Sequence, residues 1–109
     1  MANNTRYFVL ANYTQKAIAG MVQAPTDRAA AVKKICKAAG VKFISLDLCR
    51  GVYDIVVVAE SDTYDRVLGL KMAVAASGAV SEVHILEAMD PTAALEHAGA
   101  AAKVYTPAG

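Results

Sequence analysis

The chain has no tryptophan, two phenylalanines, two cysteines and two histidines in 109 residues. Without Trp, and with little Phe, it lacks an aromatic platform of the kind that stacks sugars or bases. Cys36 and Cys49 form neither a C-x-x-C pair nor a zinc spacing. Cys36 falls on the core side of a helix and Cys49 on a strand face turned from the helices, so no internal disulfide is expected. No His-x-x-His or Glu-x-x-His spacing occurs, and neither a metal nor a cofactor is called for. Gly51, Gly69 and Gly78 are isolated and make no phosphate loop. Lys and Arg are spread along a chain of net charge +1. With no basic cluster, nucleic acid is not an expected partner. No apolar run reaches the roughly 18 residues that cross a bilayer. The opening Met-Ala-Asn-Asn-Thr-Arg lacks the pattern of a secretory signal. A cytoplasmic protein without membrane contact is the expectation.

What is present is apolar. Hydrophobic residues make up 56% and charged residues 19%. A chain of this length folds as one domain with its own core. Alanine inflates the apolar figure, but the surplus still points to an oligomer interface.

Arg6 to Tyr13 is rich in aromatic and β-branched residues and reads as a first strand. Thr14 caps a short helix, Gln15 to Val22. Pro25 sits in the first turn of a longer helix, with Ala29, Val32, Ile35, Cys36 and Ala39 as its apolar stripe. Gly40 ends it. Val41 to Cys49 is a second strand, with Ile44, Leu46 and Leu48 on one face. Gly51-Val52 suits a two-residue hairpin turn. That register sets Leu48 opposite Ile55, Leu46 opposite Val57 and Ile44 opposite Ala59, and on the other face Asp47 opposite Val56 and Ser45 opposite Val58. The third strand, Ile55 to Glu60, is therefore apolar on both faces, and something must cover the second. Asp62 caps a helix whose one side is Tyr64, Leu68, Lys71 or Met72, and Ala75; Ser77-Gly78 stops it. Ala79 to Ala88 is a fourth strand. Asp90-Pro91 opens a final Ala-rich helix.

The order β-α-β-β-α-β plus a C-terminal helix predicts an α+β, ferredoxin-like fold with a four-stranded antiparallel sheet. Right-handed crossovers set both main helices on one face. Residues 1–90 form this domain; residues 91–109 form the helix and a loose tail.

The segment Gly51-Val52-Tyr53-Asp54, followed by the apolar strand Ile55 to Ala59 and Glu60, resembles the signature of the GYD domain family. Asn12-Tyr13-Thr14, Ala24-Pro25 and Lys37-Ala38-Ala39-Gly40-Val41 fit as well. The resemblance covers roughly residues 6 to 88. Val52 departs from the arginine the family often carries there. The family resembles the dimeric α+β barrel group, which implies a homodimer, or higher homo-oligomer, joined through its sheet faces. That wider group contains cofactor-independent oxygenases, isomerases and haem-handling proteins. The resemblance carries no settled activity for this chain.

Asp54 is the sharpest chemical candidate. At the mouth of an apolar barrel its carboxylate would serve as a base; at a hairpin it would instead cap backbone N–H groups. His84 lies on the open face between Glu82 and Leu86, as an acid–base partner or an interface hydrogen-bonding group. Asp47 joins that face or pairs with Arg6 or Arg50. Tyr7, Tyr13 and Tyr53 gather near the sheet, with Tyr7 or Tyr53 as a hydrogen-bond donor to a ligand. Val56 and Val58 line the centre. Cys49, beside an acidic neighbour, is expected to be a small buried hydrophobe.

Two functions fit. The first is a non-catalytic homo-oligomer with a small apolar ligand between its sheets, lined by Tyr7, Asp47, Tyr53, Val56 and Val58. The second is a cofactor-independent isomerase or oxygenase for a small organic acid or polyphenol, with Asp54 as base and His84 as its partner.

Overall fold

A computed structural model of the chain describes residues 3–109. Four strands and four helices follow one another: β1 (Thr5–Tyr13), α1 (Gln15–Gln23), α2 (Arg28–Ala39), β2 (Lys42–Leu48), β3 (Ile55–Ser61), α3 (Tyr64–Ala76), β4 (Val80–Glu87) and α4 (Thr92–Ala102). The sheet is antiparallel throughout, in the order β2-β3-β1-β4. This is the ferredoxin-like arrangement, with α4 appended.

The core lies between the sheet and helices α2 and α3. Tyr7 and Ala59 from the sheet meet Cys36 of α2 and Val67 and Leu70 of α3. Ala11, Ile55 and Val57 continue it toward the other end. Along β3, buried Ile55, Val57, Ala59 and Ser61 alternate with partly buried Val56, Val58 and Glu60, as period-two geometry requires. Burial pushes the Cys36 thiol up from its ordinary value.

Local chemistry fixes most boundaries. Thr14 accepts from the Ala17 N–H at 3.2 Å and opens α1. Its hydroxyl also donates to the Gly78 carbonyl at 2.8 Å, tying the end of β1 to the start of β4. Helix α2 starts later than the proline suggests. Pro25 precedes it, and Asp27 is the cap, accepting from the Ala30 N–H at 3.1 Å. Helix α3 is capped by Thr63 rather than Asp62. Asp62 instead pairs with Arg66 at 3.0 Å. Asp90 sits one position earlier than a cap, and accepts from both the N–H and the hydroxyl of Thr92.

Two expectations about faces are corrected. The buried side of α3 is Val67 and Leu70, not the side holding Tyr64 and Met72, both of which are exposed. In β2 the register holds from Leu48 back to Ser45, then shifts. Ile44 is the extra residue of a bulge, so Phe43, not Ile44, stands opposite Ala59. Phe43 thereby reaches the helix-side core. A second bulge falls in β4, where Glu82 pairs with Asn12 and Val80 with Tyr13, leaving Ser81 over.

Helices α1 and α4 stand outside this core. Neither buries a residue. The radius of gyration is 17.9 Å, against about 13 Å for a compact domain of this length.

Gly40 closes α2 with φ +76°, and an added Cβ there would run into the Arg66 guanidinium. Gly40→Ala is expected to cost about 1 kcal/mol or more by urea denaturation, because the left-handed cap penalises a side chain.

Candidate functional site

Four rows of side chains cross the open face of the sheet. At one end Lys42, Glu60 and Arg6 lie side by side. Glu60 receives Arg6 at 3.3 Å and Lys42 at 4.0 Å. The next row is Ser45, Val58, Phe8 and Leu86; the third is Asp47, Val56, Leu10 and His84; the last holds Asn12 and Glu82. No other described element covers the two middle rows. Leu86 is 56% exposed, while Phe8, Leu10, Val56 and Val58 are only partly buried.

The loop between β2 and β3 closes the acidic end of this face. Cys49 N–H donates to the Asp54 carbonyl at 2.7 Å, one step beyond the expected Leu48–Ile55 pair. Among the described residues no backbone bond joins Arg50 to Tyr53, so residues 49–54 form a wider loop than a two-residue turn. Gly51 adopts φ +140°, which a side chain disfavours.

Asp54 fastens this loop to β1. Its N–H donates to the Ala11 carbonyl at 3.0 Å and to Asn12 Oδ1 at 3.1 Å. Its Oδ2 accepts from the Tyr13 N–H at 2.9 Å. The carboxylate therefore caps backbone, but on the neighbouring strand rather than on its own hairpin.

The Tyr53 ring meets His84 edge-on at 5.7 Å between centroids. His84 Nε2 lies 3.5 Å from Glu82 Oε2. Tyr53, His84 and Glu82 thus form one group at the β4 edge. Asp47 is on the opposite edge strand, three strand spacings or about 14 Å from His84 across the sheet.

Tyr7 does not join them. It is 2% exposed, on the helix side of β1, and its hydroxyl donates to Glu87 Oε1 at 3.2 Å. Side chains alternate along β1, so Tyr7 shares its face with Val9 and Ala11 rather than with Phe8 and Leu10. The expectation that Tyr7 lines the open face is corrected accordingly. Cys49 is also exposed rather than buried. Among the described residues, no three His, Cys, Asp or Glu side chains gather as a metal ion would need.

One concavity has no counterpart in the sequence reading. Between α2, α3 and the sheet lies a cavity of about 240 Å³, with Tyr13 and Arg28 among its lining. Arg28, Val32 and Ile35 share a helix face at positions i, i+4 and i+7. A cation on the apolar stripe is the signal that could have found it.

A family model described as GYD domain matches residues 7–98. The chain belongs to the GYD domain family. In this GYD protein the match runs past β4 into α4. No curated protein matches the chain. Among solved structures, FFRP-DM1 is 13% identical with a TM-score of 0.54, covering 78% of this chain and 99% of its own. TTHA0845 from Thermus thermophilus is 14% identical with a TM-score of 0.53, covering 79% and 94%. MtbAldR is 7% identical with a TM-score of 0.53; the match takes 79% of this chain but 52% of that protein. At such identities the likeness concerns the fold alone. Among the described residues no helix is long and apolar enough to cross a membrane.

Asp54→Ala strands the Tyr13 N–H and is expected to cost about 1–3 kcal/mol in chemical denaturation. Asp54→Asn should cost less, because its amide oxygen still accepts. Tyr7 supplies a pH test. Burial first, then the hydrogen bond to Glu87, raise its pKa above the ordinary 10.0. Its contribution to stability is complete below pH 10.0 and falls as pH rises toward the raised folded value. Urea midpoints should drop in that window for wild type and drop less for Tyr7→Phe.

Proposed function

We propose that this GYD protein is a non-catalytic homodimer whose two sheets face one another and hold a small apolar ligand between them. The observation that carries this reading is the uncovered pair of apolar rows, Val58-Phe8-Leu86 and Val56-Leu10. Surface area supports it. The chain exposes 7780 Å², where a monomer of this mass exposes about 5,800 Å². The excess, about 2,000 Å², is larger than the ~800 Å² each partner gives to a standard interface, and α1, α4 and the C-terminal tail share it with the sheet face. Charge adds an orientation. The Arg6–Lys42 end is cationic in excess of Glu60, and the opposite end carries Asp47 and Glu82. A two-fold stacking that brings unlike ends together satisfies both. Asp47, Tyr53, Val56 and Val58 would then border the ligand.

A cofactor-independent isomerase or oxygenase for a small organic acid or polyphenol is the second reading. It draws on the His84–Glu82 contact, in which a carboxylate orients an imidazole beside the Tyr53 ring. Asp54 as the base counts against it, because one carboxylate oxygen is already engaged by the Tyr13 N–H.

Sedimentation velocity tests the main reading. Wild type is expected to run as a dimer or higher, and Val58→Glu, which buries a charge at the face centre, as a monomer. A wild-type monomer at micromolar concentration would sink the proposal. Alanine at His84 abolishing a measured turnover, with the dimer intact, would favour the enzyme.

A further inference from the structure

The cavity on the helix side has a physical cause. Helices α2 and α3 present Ala31 and Ala73 toward it, and side chains this short leave the space above the sheet unfilled. Its walls are mostly aliphatic, with Val9, Val32, Val57 and Val83 among them, and Lys71 and Ser77 also line it. Apolar cavities of this kind persist only at a cost in packing, which an apolar occupant removes.

Two buried polar atoms belong to residues of these walls. Among the described residues, the Tyr13 hydroxyl and Arg28 Nε are the buried side-chain polar atoms without a hydrogen-bond partner. Both residues line this same cavity. Buried polar groups are nearly always paired, so two orphans at one site require an explanation. Both are donors. Elsewhere on the Arg28 guanidinium, Nη1 donates to the exposed Thr26 Oγ1 at 3.1 Å. Nε is left as a buried donor of a charged group. An acceptor that bears negative charge answers both groups at once.

We propose that this cavity binds the carboxylate of a small amphipathic monocarboxylic acid, with Arg28 Nε and the Tyr13 hydroxyl on the carboxylate and the aliphatic walls on its tail. Size sets the class. A cavity of about 150 Å³ accommodates benzene, so 240 Å³ suits an acid of roughly eight to ten non-hydrogen atoms. Medium-chain fatty acids and arylacetic acids are of that size. The site is on the far side of the sheet from the proposed dimer face and does not rest on that reading.

Octanoate is the probe, with octanol and octylamine as controls of the same chain length. In isothermal titration of the full chain, octanoate is expected to bind once per subunit and to raise the thermal midpoint. Octanol should bind about tenfold more weakly, for want of the charged hydrogen bonds, and octylamine weaker still. Arg28→Met keeps the stem and removes the guanidinium. It should weaken octanoate about tenfold while leaving octanol unchanged. If that variant does not fold, Tyr13→Phe makes the same comparison. Val32→Phe, which fills the cavity, should weaken octanoate and octanol together. Equal affinity for the three probes, wild-type octanoate affinity in Arg28→Met, or a partner's side chain filling the cavity in a crystal of the oligomer would each overturn the proposal.

Discussion

The constraint that organises this molecule is a central strand with no wet side. Ile55, Val57 and Ala59 of β3 point to the helices, and Val56 and Val58 point the other way. Two helices satisfy one face. The sheet then keeps an apolar band on the other, extended by Phe8 and Leu10 on the adjacent central strand. Among the described residues, no third layer covers that band. The chain's remaining helices follow the same logic. An isolated helix of about a dozen residues is marginal in water, yet α4 and α1 bury nothing of their own. Ile18 and Val22 on α1, and Leu95 on α4, are left exposed. These are surfaces that make sense inside an assembly.

The Gly-Val-Tyr-Asp segment has an architectural explanation. Gly51 supplies a backbone angle that a side chain resists. Asp54 grips β1 through both its N–H and its carboxylate. Tyr53 reaches across to His84 on β4. One loop, leaving an edge strand, thus touches both a central strand and the far edge of the sheet. The three residues that give the family its name are those that the geometry of this junction requires.

Much of this is legible in the residues. The alternation in β3 and the pairing of Leu48 with Ile55 and Leu46 with Val57 follow from matching apolar faces. Gly40 and Thr14 signal their helix ends through standard capping chemistry. The departures have physical causes too. The bulge at Ile44 is invisible in sequence because Phe43 and Ile44 are both apolar, so either satisfies the core. The stripe of α3 misleads because Leu, Val, Met and Ala occur all round it, giving little contrast between faces. Tyr7 groups naturally with Tyr53 because a tyrosine suits a wet rim. Its hydroxyl instead escapes the core by reaching Glu87. The helix-side cavity leaves only one trace in the pattern, the cation Arg28 on the apolar stripe of α2, since the cavity is a deficit of volume between elements distant in sequence.

Both edge strands carry their irregularity inward of their ends, Ile44 in β2 and Ser81 in β4. A regular edge would offer an unbroken row of N–H and C=O groups to another chain. That matters for a protein whose central strand reads Ile-Val-Val-Val-Ala, the composition from which cross-β fibrils are built. Each bulge interrupts the ladder that its edge would offer, leaving Glu82 to Glu87 of β4 and Ser45 to Leu48 of β2 in regular register. Growth strand by strand is thereby disfavoured, and in the proposed face-to-face dimer two-fold pairing would end after one step.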